Sequence, residues 1–185
     1  TALIVPSSGA LGAPILFSSY GTGNAIIQGN ANYGIRVLDK SNLIFRNLNT
    51  ANAAASYGVQ MSGATRIENV LFENCDFGAA IQASVILADG TLGSIRRIRF
   101  VTCTAHNSGQ QGFFIYQTSG ICARDVAFVD CTSYSNGVTA NVHHGWYVSY
   151  ADDVRLTRCT SYSNAGHGFQ IQTGVTNASL RECYA

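Results

Sequence analysis

The sequence of 185 residues predicts an all-β fold, a single-stranded solenoid of about seven coils built from parallel strands. Three observations lead to this prediction. Cysteines recur at nearly constant intervals, short segments alternate apolar with variable residues, and no stretch between them shows helical periodicity. Residues 1–185 are therefore expected to form one domain.

The recurring cysteines close one set of predicted strands. Intervals of 28, 28, 28 and 24 residues separate Cys75, Cys103, Cys131, Cys159 and Cys183. In the six residues that end at each cysteine, the first and third positions are nearly all large and apolar, which is the period of a strand with one buried face. Residues 43–48 show the same pattern, with Leu48 in place of the cysteine.

A second predicted strand lies upstream in every repeat. These strands occupy residues 34–37, 58–61, 84–87, 112–115, 145–148 and 168–171. Two strands in each unit of 23 to 33 residues make one coil, and successive coils rise by about 4.8 Å. Equivalent residues must then stack directly, so the cysteines form one inward ladder and Phe45, Phe72, Phe100 and Phe128 form another.

Stacking also determines the expected chemistry of the cysteines. In-register neighbours are close enough for a disulfide, but their Cβ vectors run parallel, which opposes the dihedral angle that a disulfide needs. We therefore predict buried free thiols that act as small apolar side chains. Asn136 and Asn164 are also 28 residues apart and predict a stacked asparagine pair at a turn.

Composition excludes two classes of partner. The net charge is +1, from 11 basic and 10 acidic residues, so the chain lacks the basic surface with which proteins bind nucleic acids. No apolar run reaches the ~20 residues of a membrane-spanning helix. Hydrophobic residues make up 46% of the chain, which is ample for a solenoid core.

The repeat units at 74–78, 130–137 and 158–168 resemble those of the right-handed parallel β-helix superfamily. This is the fold of pectate lyases, polygalacturonases, alginate lyases and epimerases, and phage tailspikes. Residues 5–15 and 20–23 resemble the first coils of secreted members that act on polysaccharides. The resemblance implies a polysaccharide partner and a secreted or cell-surface location. Members usually carry a cap before the first coil, so we expect flanking domains or self-association at the solenoid ends.

The outward positions of the upstream strands contain a candidate binding face. One outward column includes Arg36, Phe114, Tyr147 and Gln170, and the next includes Tyr116 and Gln172. Aromatic rings beside amide side chains suit a sugar chain, whose ring faces are apolar and whose edges carry hydroxyl groups. The alternative is that the loop at 132–144 covers these rings.

Three histidines lie next to this face and are candidates for chemistry. His144 and His167 are one coil apart and should stack, with His143 beside them. A lyase or epimerase could use His144 or His167 as the base that removes a proton from a uronic acid, with Tyr147 assisting. The alternative is a polar turn stack in which each histidine caps the backbone.

Carboxylates are not expected on the binding face. None of the twelve outward positions is acidic, so the carboxyl pair of a glycoside hydrolase is absent there. Asp152 and Asp153 precede the motif Gly166-His167-Gly168 by only 14 residues, which does not match the polygalacturonases that this pair resembles. The acidic residues instead predict ion pairs at turns.

These predicted ion pairs join successive coils. Glu68 is expected to pair with Arg96, Arg97 with Asp125, and Arg124 with Asp152. Asp125 stacks above Asp153, and either Arg124 relieves their repulsion or a Ca²⁺ ion binds them together with Asp152. The sequence therefore leaves two possibilities open, no cofactor or Ca²⁺.

Together these observations predict an extracellular module that binds or cleaves an acidic polysaccharide, by elimination or epimerisation rather than hydrolysis. The alternative is a non-catalytic shaft of an adhesin, tailspike or surface fibre.

Overall fold

A computed structural model describes residues 1–51, 54–88 and 94–185. Within these residues twenty strands, β1 to β20 in chain order, form three parallel sheets. Sheet A contains seven strands: β1 (Leu3–Ile4), β4 (Tyr33–Leu38), β7 (Tyr57–Ser62), β10 (Ala83–Ala88), β13 (Gln111–Tyr116), β16 (Trp146–Val148) and β19 (Phe169–Ile171). Sheet B contains seven: β2 (Ile15–Ser18), β5 (Leu43–Arg46), β8 (Ile67–Glu73), β11 (Ile95–Val101), β14 (Ala123–Val129), β17 (Ala151–Thr157) and β20 (Thr176–Arg181). Sheet C contains six: β3 (Ala25–Ile27), β6 (Leu48–Ala51), β9 (Asp76–Gly78), β12 (Thr104–His106), β15 (Thr132–Tyr134) and β18 (Thr160–Tyr162).

The chain passes from sheet A to sheet B to sheet C and then begins the next turn, which makes about six turns of a parallel β-solenoid. The predicted fold class is thus confirmed. The register is also the predicted one: Phe72, Phe100 and Phe128 are direct partners in sheet B, and Phe114 lies opposite Tyr147 in sheet A. No helix in the described ranges is long and apolar enough to cross a membrane.

The prediction of two strands per coil was incomplete, because sheet C supplies a third. Its strands include Thr104–His106 and Thr132–Tyr134, each only three residues long. So short a strand shows no readable alternation. A single left-handed residue turns the chain from sheet B into sheet C, and asparagine and aspartate tolerate this conformation best. These corner residues have φ between 51° and 55° and are Asn47, Asn74, Thr102, Asp130 and Arg158.

The interior consists of stacked ladders. The rings of Phe45 and Phe72 lie 4.6 Å apart between centroids and nearly parallel, and Phe100 and Phe128 continue the stack at 5.0 Å spacings. Phe17, which the sequence analysis did not include, adds a further ring at 5.2 Å. All these rings except Phe17 are completely buried, and the ladder runs through five of the seven strands of sheet B before Leu156 and Leu180 continue the column.

The cysteines are free thiols, as predicted. Cys75, Cys103, Cys131 and Cys159 are buried, and Cys183 is half-buried in the last coil. Each of these thiols contacts two carbonyl oxygens, one of them two residues earlier and the other in the preceding coil. Cys103 Sγ, for example, lies 3.4 Å from Val101 O and 3.5 Å from Phe72 O. Burial raises the pKa of the Cys103 thiol, so it stays protonated.

The ion pairs at the turns partly differ from those predicted. Arg124 Nη1 does lie 2.9 Å from Asp152 Oδ2, as expected, and Arg96 lies 3.8 Å from Glu68. Arg97, however, pairs with Glu68 at 2.6 Å rather than with Asp125. Arg97 Nε also donates to Asn69 Oδ1 at 2.7 Å, so both of these contacts are with the preceding coil.

The guanidinium groups of Arg99 and Arg155 contact Asp125 instead. Asp152 also accepts hydrogen bonds from Thr176 and Asn177. These carboxylates therefore already have cationic or donor partners and do not fit a Ca²⁺ site. In the described residues no group of three or more His, Cys, Asp or Glu side chains could hold a metal ion.

Candidate functional site

The outer face of sheet A brings three aromatic side chains into one patch, here called the aromatic patch: Phe114, Tyr116 and Tyr147. The ring centroids of Phe114 and Tyr116 lie 5.1 Å apart. Phe114 and Tyr147 meet edge to face, with 5.3 Å between their ring centroids. Tyr116 is 37% exposed, and the other two rings are half-buried. The tilted rings leave apolar surface open to solvent.

Amide side chains border this patch, as predicted. Gln170 is the direct partner of Tyr147 in the neighbouring strand β19. Tyr147 Oη donates a hydrogen bond to Gln172 Oε1 at 3.1 Å. Burial, and then the nearby Tyr116, raises the pKa of Tyr147, so its phenol stays protonated near neutral pH.

His144 lies beneath the edge of the aromatic patch and is only 2% exposed. The ring Nδ1 of His144 accepts the backbone N–H of His167 at 2.9 Å. The backbone N–H of His144 donates to Gln111 Oε1 at 2.6 Å. Burial first, and then the charges of His167 and His143, lower its pKa. His144 is therefore a neutral imidazole with its proton on Nε2, built into the wall of the coil.

The other two histidines have different surroundings. The ring of His167 stacks on that of His144 with 5.3 Å between centroids, and His167 is exposed. His143 Nδ1 accepts the backbone N–H groups of Val138 and Thr139, at 3.1 and 3.2 Å. His143 thus caps its own loop, which matches the alternative of a histidine turn.

The alternative, in which the loop at 132–144 covers the rings, does not fit, because the rings stay partly exposed. The first residues of the loop, 132–134, are strand β15. Val138 and Val142 are 83% and 52% exposed, so the apolar side chains of this loop face solvent. Two other outward positions are nevertheless buried, Ile86 at 5% and Ser149 at 3% exposure. Ile86 separates the aromatic patch from the first coils of sheet A.

Arg36 does not join the aromatic patch. It occupies the same outward column, but strands β7, β10 and β13 lie between it and Tyr147 on β16. It borders a separate cavity of about 270 Å³, together with the two tyrosines of the neighbouring turn column, Tyr33 and Tyr57. The sequence analysis did not assign these tyrosines to a site, although their one-coil spacing and register with Arg36 were readable.

A cavity of about 380 Å³ lies on the outer face of sheet B, beneath residues 10–14. Its lining is mostly apolar, including Leu11, Ile44 and Leu71. The arginines at its margin, Arg97 and Arg99, already pair with Glu68 and Asp125. This cavity therefore offers no free charge for a polar ligand.

The fold and the open face of sheet A together define a parallel β-helix with a solvent-accessible polar and aromatic surface. Residues 17–185 match the family described as right-handed beta helix region, so the chain belongs to this family. A search of curated protein sequences found no match.

Solved structures confirm the fold at low sequence identity. One is a glycoside hydrolase, with a TM-score of 0.60 and 8% identity over 86% of this chain and 31% of that chain. Another is an Acinetobacter phage tailspike, with a TM-score of 0.57 and 14% identity, over 86% of this chain and 27% of that chain. This chain therefore spans less than a third of either protein. An alginate lyase from Paenibacillus has a TM-score of 0.54 and 12% identity, over 100% of this chain and 88% of that chain.

Proposed function

We propose that the chain is a secreted or cell-surface module that binds an acidic polysaccharide along the outer face of sheet A. The observation that supports this most directly is the aromatic patch, in which Phe114, Tyr116 and Tyr147 are held in mutual contact yet remain accessible. Aromatic rings pack against the apolar faces of sugars, and the neighbouring amides of Gln170 and Gln172 can bind their hydroxyl groups. Structural similarity to an alginate lyase and to a glycoside hydrolase is consistent with this ligand class.

Binding is better supported than catalysis. A general base must reach the proton that it removes, and His144 is buried with Nδ1 already bonded to the backbone. An eliminating enzyme must also neutralise the substrate carboxylate. Arg36 is the only arginine in the described strands of sheet A, and it lies four strands from Tyr147.

A lyase remains the second candidate, because His167 is exposed beside the aromatic patch. In that reaction His167 would take the proton from the carbon that carries the carboxylate. A carbon–carbon double bond would form as the glycosidic oxygen leaves, and the protonated phenol of Tyr147 would donate a proton to that oxygen. His144 would position His167 through their stacked rings and the Nδ1 hydrogen bond.

Affinity electrophoresis in gels that contain alginate, polygalacturonate or neutral dextran tests the binding proposal. We expect the acidic polymers to retard the protein and dextran to leave it unretarded. Replacing Phe114 or Tyr147 by Ala should weaken binding about tenfold, the effect of about 1.4 kcal/mol of lost ring contact. Tyr162→Ala is the matched control, because Tyr162 is a 49% exposed aromatic residue on sheet C.

Equal retardation by dextran, or aromatic variants that bind as the wild type does, would refute this proposal. The same polymers are then followed by ultraviolet absorbance for unsaturated uronates and by proton NMR for epimerised residues. Activity that His167→Gln abolishes and Tyr162→Ala leaves unchanged would support the lyase or epimerase. No product from any polymer would exclude both enzymes for those polymers and retain the binding module.

A further inference from the structure

Arg36 differs from most other arginines because it has no carboxylate partner in the part of the chain that the structure describes. In the described residues eight other arginines lie within 4.0 Å of an acidic side chain, whereas Arg36 does not. Those eight lie on sheet B or at its turns. Arg36 lies on strand β4, on the outer face of sheet A, where the register places Gln60 beside it.

The Arg36 guanidinium is nevertheless held in place. Its Nη1 donates to Tyr33 Oη at 3.3 Å, and its Cζ lies 5.1 Å from the centroid of the Tyr33 ring. Its Nε is buried and has no hydrogen-bond partner. An atom with so little accessible surface cannot contact a ligand, so the Nη atoms are the part of the guanidinium that a ligand could reach.

Every residue that lines the cavity beside Arg36 has a polar side chain, and the rings of Tyr33 and Tyr57 add apolar surface. It measures about 270 Å³ and is lined by Asn32, Tyr33, Arg36, Ser56, Tyr57 and Gln60. Burial raises the pKa of Tyr57, and its phenol donates to Gln82 Oε1 at 2.6 Å. The oxygen of Tyr57 can therefore still accept a hydrogen bond from a ligand hydroxyl group.

We propose that this cavity, here called the Arg36 pocket, binds the carboxylate of one acidic sugar residue. The planar guanidinium presents parallel donors that match the two oxygens of a carboxylate, while the uncharged side chains around it suit sugar hydroxyls. Among the described residues, Arg36 is the only cation that lines the pocket, which favours a singly charged carboxylate over a doubly charged phosphate. The choice of a sugar as ligand rests on the proposed function.

The Arg36 pocket is a separate contact point from the aromatic patch. Three strand spacings separate β4 from β13, which is about 14 Å between Arg36 and Phe114. The buried Ile86 lies between them. One sugar ring cannot occupy both places, so the two sites can be tested independently.

Titration of the full chain with sodium glucuronate, followed by NMR, tests the pocket. We expect glucuronate to shift the signals of Tyr33 and Tyr57, and glucose, which lacks the carboxylate, to bind at least about tenfold more weakly. Arg36→Gln should weaken glucuronate binding by a similar factor, and Arg36→Lys should retain part of it because the charge remains. Arg66→Gln is the matched control, since Arg66 is an exposed arginine that does not line the pocket.

Three results would overturn the assignment. These are equal binding of glucose, unchanged binding by Arg36→Gln, and equal or tighter binding of inorganic phosphate, which would indicate a different anion. Thermal unfolding of each variant checks that it is folded. The two proposals fail separately: glucuronate binding that depends on Arg36, with polymer binding that ignores Phe114 and Tyr147, supports the pocket and refutes the aromatic patch.

Discussion

Replacing Asn136 by Ala should destabilise the protein strongly, because Asn136 is a fully buried polar side chain. Its Nδ2 lies 3.1 Å from Ala105 O, 3.0 Å from Ser133 Oγ and 2.9 Å from Asn164 Oδ1. Its Oδ1 accepts the N–H of Ser108 at 3.1 Å and the hydroxyl of Ser108 at 2.8 Å. One side chain therefore joins three successive coils from inside a corner.

The magnitude follows from the groups that lose this partner. Ser133 keeps a hydrogen bond to Gly145 O, and the Ser108 hydroxyl keeps one to Gln111 O. The Ser108 N–H and the Ala105 carbonyl lose their bonds to Asn136. The Ala105 carbonyl lies in the parallel ladder of sheet C, so only the Ser108 N–H is left as an orphaned buried donor. One orphaned donor at about 1–3 kcal/mol, and the bonds lost by groups that keep another partner at about 1 kcal/mol each, give a loss of about 4 kcal/mol. For a chain of this length that corresponds to a fall in Tm of about 8–16 °C.

Urea unfolding followed by circular dichroism measures this loss. Asn32→Ala is the control, because Asn32 is exposed, and it should change the stability by less than about 0.5 kcal/mol. Asn164→Ala should fall between the two, since Asn164 is only half-buried. A loss below about 1 kcal/mol for Asn136→Ala would refute the argument, because it would mean that water or relaxation satisfies the orphaned donor.

Two further predictions concern the corner at Thr102 and the stacked histidines. Thr102 is a β-branched residue with φ 53°, and the equivalent corner residues of the adjacent coils are Asn74 and Asp130. Thr102→Asn should therefore relieve strain of about 1 kcal/mol and raise Tm by about 2–4 °C. A lower Tm by scanning calorimetry would contradict this explanation. Burial, and then the charges of His167 and His143, lower the pKa of His144 in the folded protein. The unfolded chain therefore binds a proton at His144 more readily than the folded protein does, and the free energy of unfolding should fall as pH drops below about 6.5. Urea unfolding at about pH 7.5 and 5 should show a smaller fall for His144→Gln than for the wild type, and equal falls would exclude His144 as the source.

The sequence alone determined the repeat and the contents of its columns. A parallel solenoid rises by one strand spacing per coil, so residues at equivalent points of the repeat must be neighbours. This is why the ladders of phenylalanine and cysteine, the Asn136–Asn164 stack and the contact between Phe114 and Tyr147 could all be predicted. Periodicity along the chain is equivalent here to contact in space.

Only the tertiary structure determined what happens at the corners and between sheets. Sheet C was missed because its strands are too short to alternate. The pairing of Arg97 with Glu68 depends on side-chain directions that the repeat does not reveal, since Arg99 and Arg155 are the residues that contact Asp125. The burial of His144 and Ile86, and the cavity beside Arg36, were not readable from the repeat either. Repeat spacing determines which residues stack along the axis, whereas the angle of each corner determines which side chains converge across it.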